Sequence, residues 1–152
     1  MGFLLFNSQP KNIMMVGLGG GSIPKFCYRY LPETEITVVE INPDVIALRD
    51  AFHIPPDDVR FQVIEADGCA YVNACSATID VVLIDAYDGE GMPAPLCEPS
   101  FFQDCADVLS EDGVLVVNLH LESDSYAMCL AHLRDVFGTA LIEVIDDDMT
   151  NS

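Results

Sequence analysis

Short apolar runs rich in β-branched residues alternate with amphipathic stretches along this 152-residue chain, and no other feature constrains the fold as much. Ile13–Val16, Ile36–Glu40, Arg60–Ile64, Ile79–Ile84, Val114–Leu119 and Ala140–Ile145 read as strands. Helices are expected over Ser22–Tyr30, from Pro43 to about Phe52, and over Gly68–Ala74, Ser100–Leu109 and Ser123–Phe137. Ser22 is read as an N-cap, with Pro24 tolerated in the first turn. Asn42-Pro43-Asp44 supplies a capping Asn, a proline at the first helical position and an acid near the positive end of the helix dipole. Ile79–Ile84 is almost wholly apolar, as befits a strand covered on both faces. Gly89–Pro99, with its prolines and glycines, reads as a loop. Strands that alternate with helices of this length give βαβ units, hence an α/β domain with a mostly parallel sheet and helices on both faces. Residues 1–152 are read as one such domain.

Ligands of open parallel sheets bind outside the carboxyl ends of the strands. Four strand ends here carry chemistry. After the first strand comes Gly17-Leu18-Gly19-Gly20-Gly21-Ser22, where glycines allow close backbone approach to a ligand and the next helix offers free N–H groups. Ser22 stands where a dinucleotide fingerprint wants its third glycine, so Gly17, Gly19 and Gly21 suit a nucleoside loop better than an NAD loop. Glu40 ends the second strand, where a carboxylate can accept from both ribose hydroxyls. Asp67-Gly68 follows the third strand. The Asp can accept from an adenine amino group or cap the next helix, and the residues alone do not choose between these. Asp85-Ala86-Tyr87-Asp88 follows the fourth strand. Its carboxylates can take a proton from an ammonium nucleophile or bind its charge; turn formation is the competing explanation.

Charge narrows the partners. Six Lys and Arg against 25 Asp and Glu give a net charge of −19. That argues against nucleic acid and against an anionic membrane, and it is compatible with a cationic amine substrate or simply a solubilising surface. The six cysteines form no Cys-x-x-Cys pair, and His53, His120 and His132 complete no metal set. Cys27, Cys69 and Cys129 lie in apolar stretches and are expected to be free core thiols, in keeping with a reducing cytosol. Met1–Phe6 lacks the basic start and apolar length of a signal peptide, and no apolar run reaches the length of a membrane span.

Taken in order, Ile13–Ser22, Val38–Pro43, Ala66–Gly68, Leu83–Asp88, Phe101-Phe102 and Leu109–Asn118 resemble the spermidine/spermine synthase family. The resemblance implies a Rossmann-like fold of the class I S-adenosylmethionine-dependent methyltransferase type. It also implies transfer of an aminopropyl group from decarboxylated S-adenosylmethionine to a polyamine. By the same resemblance Gly17, Gly19 and Gly21 would line the nucleoside loop, Glu40 hold the ribose, and Asp67 with Gly68 meet the adenine. Asp85 would be the base for the attacking amine, with Asp88 and Tyr87 on the acceptor side. The pattern departs from the family at Gly20, where synthases usually carry an Asp, and at Gly89, where they usually carry Pro. The family's N-terminal β-domain and its seventh strand find no counterpart, so the chain is expected to be a fragment, and a homodimer is one expected state. Rival readings are a methyltransferase using S-adenosylmethionine, which Gly20 favours, and a non-catalytic nucleoside-binding module.

Overall fold

Two periodicities in the sequence become two layers around one sheet. A computed structural model describes residues 2–88, 91–120 and 125–138. Its strands are β1 (Asn12–Val16), β2 (Glu35–Glu40), β3 (Phe61–Glu65), β4 (Ile79–Ile84) and β5 (Leu109–Val117). They lie in the order β3-β2-β1-β4-β5, and every neighbouring pair is parallel. The chain winds outward from β1 to β3 and then returns to the other side of β1, which puts the switch point between β1 and β4. Val16 is in register with Val39 and with Ile84, and Ile84 with Val117. Glu40, Gly17, Asp85 and Asn118 therefore follow one another in that order along the carboxyl edge.

Side chains alternate across the sheet, so consecutive residues of β1 enter different cores. Met14 and Val16 join Val72, Phe101, Phe102, Cys105 and Leu133 on one face. Ile13 and Met15 join Phe3, Cys27, Ile36, Val38 and Phe61 on the other. The first core is covered by α3 (Gly68–Ala74), α4 (Pro99–Val108) and α5 (Tyr126–Phe137). The second core takes side chains from α1 (Ser22–Tyr30) and α2 (Pro43–Ala47) and from the N-terminal 3-10 turn Gly2–Leu5. Phe61 and Phe102 are wholly buried, one in each core. Truncating either to Ala is worth about 3–5 kcal/mol.

Several boundaries differ from the sequence reading, each for a visible reason. Helix α2 stops at Ala47 instead of Phe52. The Ile54 N–H donates to the Arg49 carbonyl and the Lys25 ammonium to the Phe52 carbonyl, while His53 takes a positive φ of 54°. That turn drives Ile54 into the core, at 5 % exposure, and a continuing helix would not. Ser22 lies inside α1; the cap position is Gly21, which has no side chain to offer. Strand β5 begins at Leu109, directly after α4, not at Val114. Ile79 pairs with Leu109 but Val81 pairs with Val114, so Ser110–Gly113 bulge out between them. The Asp80 carboxylate ties that bulge to the chain start: it accepts from Ser110 Oγ and from the N–H groups of Lys11 and Asn12. The loop expected over Gly89–Pro99 contains a 3-10 turn at Ala94–Cys97, and Pro99 opens α4. The strand expected at Ala140–Ile145 lies outside the described residues.

Cys129 is not the free thiol the sequence suggested. It is bonded to Cys97, and the two Cα atoms are 5.0 Å apart. The partners are separated by 32 residues. They meet because the 3-10 turn packs against the start of α5, a tertiary contact that a search for close Cys spacing cannot reveal. Cys27 and Cys105 are buried and free, as is the half-buried Cys69. Burial pushes the Cys27 thiol up to about 11 and the Cys105 thiol to about 12, so both are inert at neutral pH. With two of the six cysteines paired, the inference from free thiols to a reducing compartment loses its basis.

Candidate functional site

The glycine turn is shaped first by what it must fit between. Gly17 has φ 96°, and a Cβ there would stand 2.3 Å from the backbone oxygen of Asp85. Only glycine lets the end of β1 pass so close to the end of β4. A Cβ on Gly21 would meet Ile54 Cγ1 at 2.5 Å, so that position is closed by the turn after α2. Gly19 is different: a Cβ there meets nothing within 4 Å. Two of the three glycines thus serve the protein's own packing, and Gly19 alone opens onto free space. Gly20 also faces outward, with the Phe52 ring 3.8 Å from where its Cβ would be.

Glu40 is 8 % exposed, and both carboxylate oxygens are engaged. Oε2 accepts from the Leu18 N–H and Oε1 from the Asn42 N–H, each at 2.8 Å. One side chain thereby fixes the glycine turn and the start of α2. Each oxygen keeps a second lone pair, so the ribose role expected of Glu40 remains chemically available. Ile41, the next residue, is 64 % exposed at the same edge.

Asp67 and Gly68 have local duties. Asp67 caps α3 by accepting from the Ala70 N–H at 2.8 Å. Gly68 is buried, and a Cβ there would lie 2.5 Å from Val16 Cγ1, so glycine lets α3 close onto β1. Of the two alternatives the sequence left open for Asp67, the cap is present, with one oxygen still unengaged.

The β4 end is held differently. Asp85 is half-buried, and its Oδ1 accepts from the Asn118 side-chain amide at 2.9 Å. The Tyr87 hydroxyl donates to the Asn118 carbonyl. The Tyr87 ring stacks on His120 with centroids 4.2 Å apart. Burial, with Asp85 nearby, raises the Tyr87 pKa, so its phenol stays a neutral donor. Tyr87 is therefore a brace within the rim, its hydroxyl already engaged. Asp88 turns on itself: its N–H donates to the Gly91 carbonyl, and its Oδ1 accepts from the Gly91 N–H. The turn chemistry considered for Asp88 is thus present.

The structure brings Gly17, Gly19, Gly21, Glu40 and Asp85 to one edge around the switch point. Sequence reasoning had Asn118 within a family-like motif but gave it no role, and it took His120 for no more than part of an incomplete histidine set. The strand expected over Val114–Leu119 hid Asn118 inside it, whereas β5 ends at Val117 and leaves Asn118 at the carboxyl edge. A cavity of about 320 Å³ lies elsewhere, behind α2, lined by Ile46, Arg49, Asp50, Ile54 and Asp57 among others. Among the described residues no group of His, Cys, Asp and Glu is placed to hold a metal ion, and no helix is long and apolar enough to cross a membrane.

Fold and strand order define an α/β protein with the architecture of the S-adenosylmethionine-dependent methyltransferases and the spermidine synthases. The structure superposes on human Methyltransferase-like protein 13 in complex with SAH with a TM-score of 0.79, at 30% identity, over 94% of this chain and 68% of that one. A spermidine synthase in complex with the transition state analogue AdoDATO matches with a TM-score of 0.76, at 23% identity, over 88% of this chain and 48% of that one. The Spermine/spermidine synthase domain matches residues 2–142, and the chain belongs to that family. The polyamine aminopropyltransferase of Neisseria meningitidis serogroup A is 40% identical over 146 residues, which are 95% of this chain and 56% of that protein. The chain thus spans little more than half the length of this relative.

Proposed function

We propose that this chain is the nucleoside-binding core of an aminopropyltransferase, which takes decarboxylated S-adenosylmethionine as donor and a polyamine as acceptor. One observation carries the reading. The Glu40-anchored glycine turn and the Asp85 carboxylate flank the switch point on the same edge, with Gly17 against the Asp85 backbone. The donor's nucleoside would lie over Gly19, with its ribose at Glu40 and its base against Ile41. Asp67 keeps an oxygen for the adenine amino group. Across the switch point, Asp85 would accept the proton of the attacking amine, and Asp88 would attract the ammonium at the far end of the polyamine. The sulfonium is an activated leaving group, so holding amine and carbon in line supplies much of the rate. The net charge of −19 favours encounter with a cationic acceptor. The reading carries a cytosolic location with it, to which the Cys97–Cys129 bond lends no support. It also allows a homodimer.

One observation favours a second reading, methyl transfer from S-adenosylmethionine. Gly20 places no carboxylate in the glycine turn to meet the amino group of the decarboxylated donor. Titration with both donors separates the two. Preference for the decarboxylated donor by tenfold or more, with aminopropyl transfer to putrescine, supports the first reading. Preference for S-adenosylmethionine replaces it with the second.

A further inference from the structure

The acceptor side of the edge has a hub just past the end of β5. Three bonds converge on Asn118. Its N–H donates to the Ile84 carbonyl at 2.9 Å and extends the β4–β5 ladder one step past the strands. Its side-chain amide donates to Asp85 Oδ1 at 2.9 Å. Its own carbonyl accepts from the Tyr87 hydroxyl, and the Tyr87 ring is in turn stacked on His120. Asp85 has its own backbone fixed as well, since its N–H donates to the Val16 carbonyl at 3.0 Å.

The amide orientation follows from chemistry: a carboxylate is acceptor-only, so the Asn118 NH₂ must face it. A hydrogen bond to an ionised acceptor is among the stronger kinds. Register explains why Asn has the right reach. Ile84 pairs with Val117, so Asp85 and Asn118 are neighbours on adjacent strands, roughly 4.8 Å apart in the sheet. A short side chain bridges that gap without leaving the edge. With Oδ1 engaged, Oδ2 is the carboxylate oxygen left open toward a substrate.

We infer that Asn118 is the positioning residue of the acceptor side, fixing Asp85 in a single rotamer so that Oδ2 alone meets the acceptor amine. The inference rests on the reading of Asp85 given under Proposed function. Asn118 acts through Asp85, and its carbonyl ties the Tyr87–His120 stack into the same unit, so the ends of β4 and β5 move together.

The test pairs a crystal structure of Asn118→Ala with calorimetric titration of unmodified protein, Asn118→Ala and Asn118→Gln. Putrescine is the probe, added over saturating methylthioadenosine. In Asn118→Ala the Asp85 carboxylate should leave its single rotamer. Putrescine binding should weaken about tenfold, and methylthioadenosine affinity should stay within twofold. Asn118→Gln, which keeps the amide donor, should recover part of the loss. An Asp85 rotamer unchanged in Asn118→Ala overturns the inference and leaves the proposed function standing. Equal weakening of putrescine and methylthioadenosine also overturns it, by showing a general structural role. If the unmodified protein binds methylthioadenosine but no putrescine, the acceptor reading of Asp85 falls, and this inference falls with it.

Discussion

At the β1–β2 end of the carboxyl edge, a buried carboxylate is bonded to backbone amides; at the β4–β5 end, an exposed rim is bonded through side chains. Glu40 serves Leu18 and Asn42, and glycines at 17 and 21 leave no room for a side chain. Asp85, Tyr87, Asn118 and His120 instead hold one another in a partly open cluster. Under the proposed function, the first construction would present one fixed shape to a nucleoside. The second is joined side chain to side chain, so under the proposed function it can be altered residue by residue without disturbing the sheet.

The contrast is sharpest in its response to mutation. Gly17→Ala should have the largest effect, because it adds both a strained φ and a 2.3 Å clash with backbone. A loss of about 3 kcal/mol is expected, or about 10 °C in Tm by thermal unfolding. Glu40→Ala should cost about 2 kcal/mol, since two amides at its buried carboxylate lose their acceptor. By contrast, Asp85→Asn should change Tm by under about 2 °C while abolishing transfer, because its partners lie on the rim. Equal thermal penalties for Glu40→Ala and Asp85→Asn would erase the distinction between the two ends.

Acid probes the opposite edge of the sheet. Burial pushes the Asp80 carboxyl up, but the amides of Lys11 and Asn12 and the Ser110 hydroxyl outweigh it and hold the pKa below the ordinary carboxylate value. A depressed folded-state pKa contributes stability that is fully present above the unfolded value of about 3.9. That contribution is lost as pH falls through the lower, folded value. Asp80→Asn should therefore flatten the pH dependence of denaturant unfolding below about pH 4 and leave ligand binding untouched. The smallest expected effect is at His53, held at φ 54°. Glycine there removes a cost of roughly 1 kcal/mol for the left-handed backbone but adds unfolded-state entropy, so His53→Gly should stabilise by about 0.5 kcal/mol.

Much of this was legible in the sequence. Every expected strand that falls among the described residues is present, because buried parallel strands leave continuous apolar runs such as Ile79–Ile84. The glycine turn, Glu40 and Asp85 could be read because each stands directly after such a run. What the chain hid depends on contacts distant in sequence. The end of α2 is set by Ile54 sinking beneath Gly21, and the bulge in β5 by Asp80 reaching Ser110. The Cys97–Cys129 bond depends on how a loop packs on α5. The Asn118–Asp85 bond depends on the β4–β5 register, which no local pattern encodes.

Whether the Glu40-anchored turn holds an adenosyl nucleoside is decided by calorimetric titration with methylthioadenosine. Methylthioadenosine should bind the unmodified protein, bind Glu40→Ala at least tenfold more weakly, and bind Asp85→Asn with unchanged affinity. Binding that ignores Glu40→Ala, or no binding to the folded protein, would contradict that role for the turn.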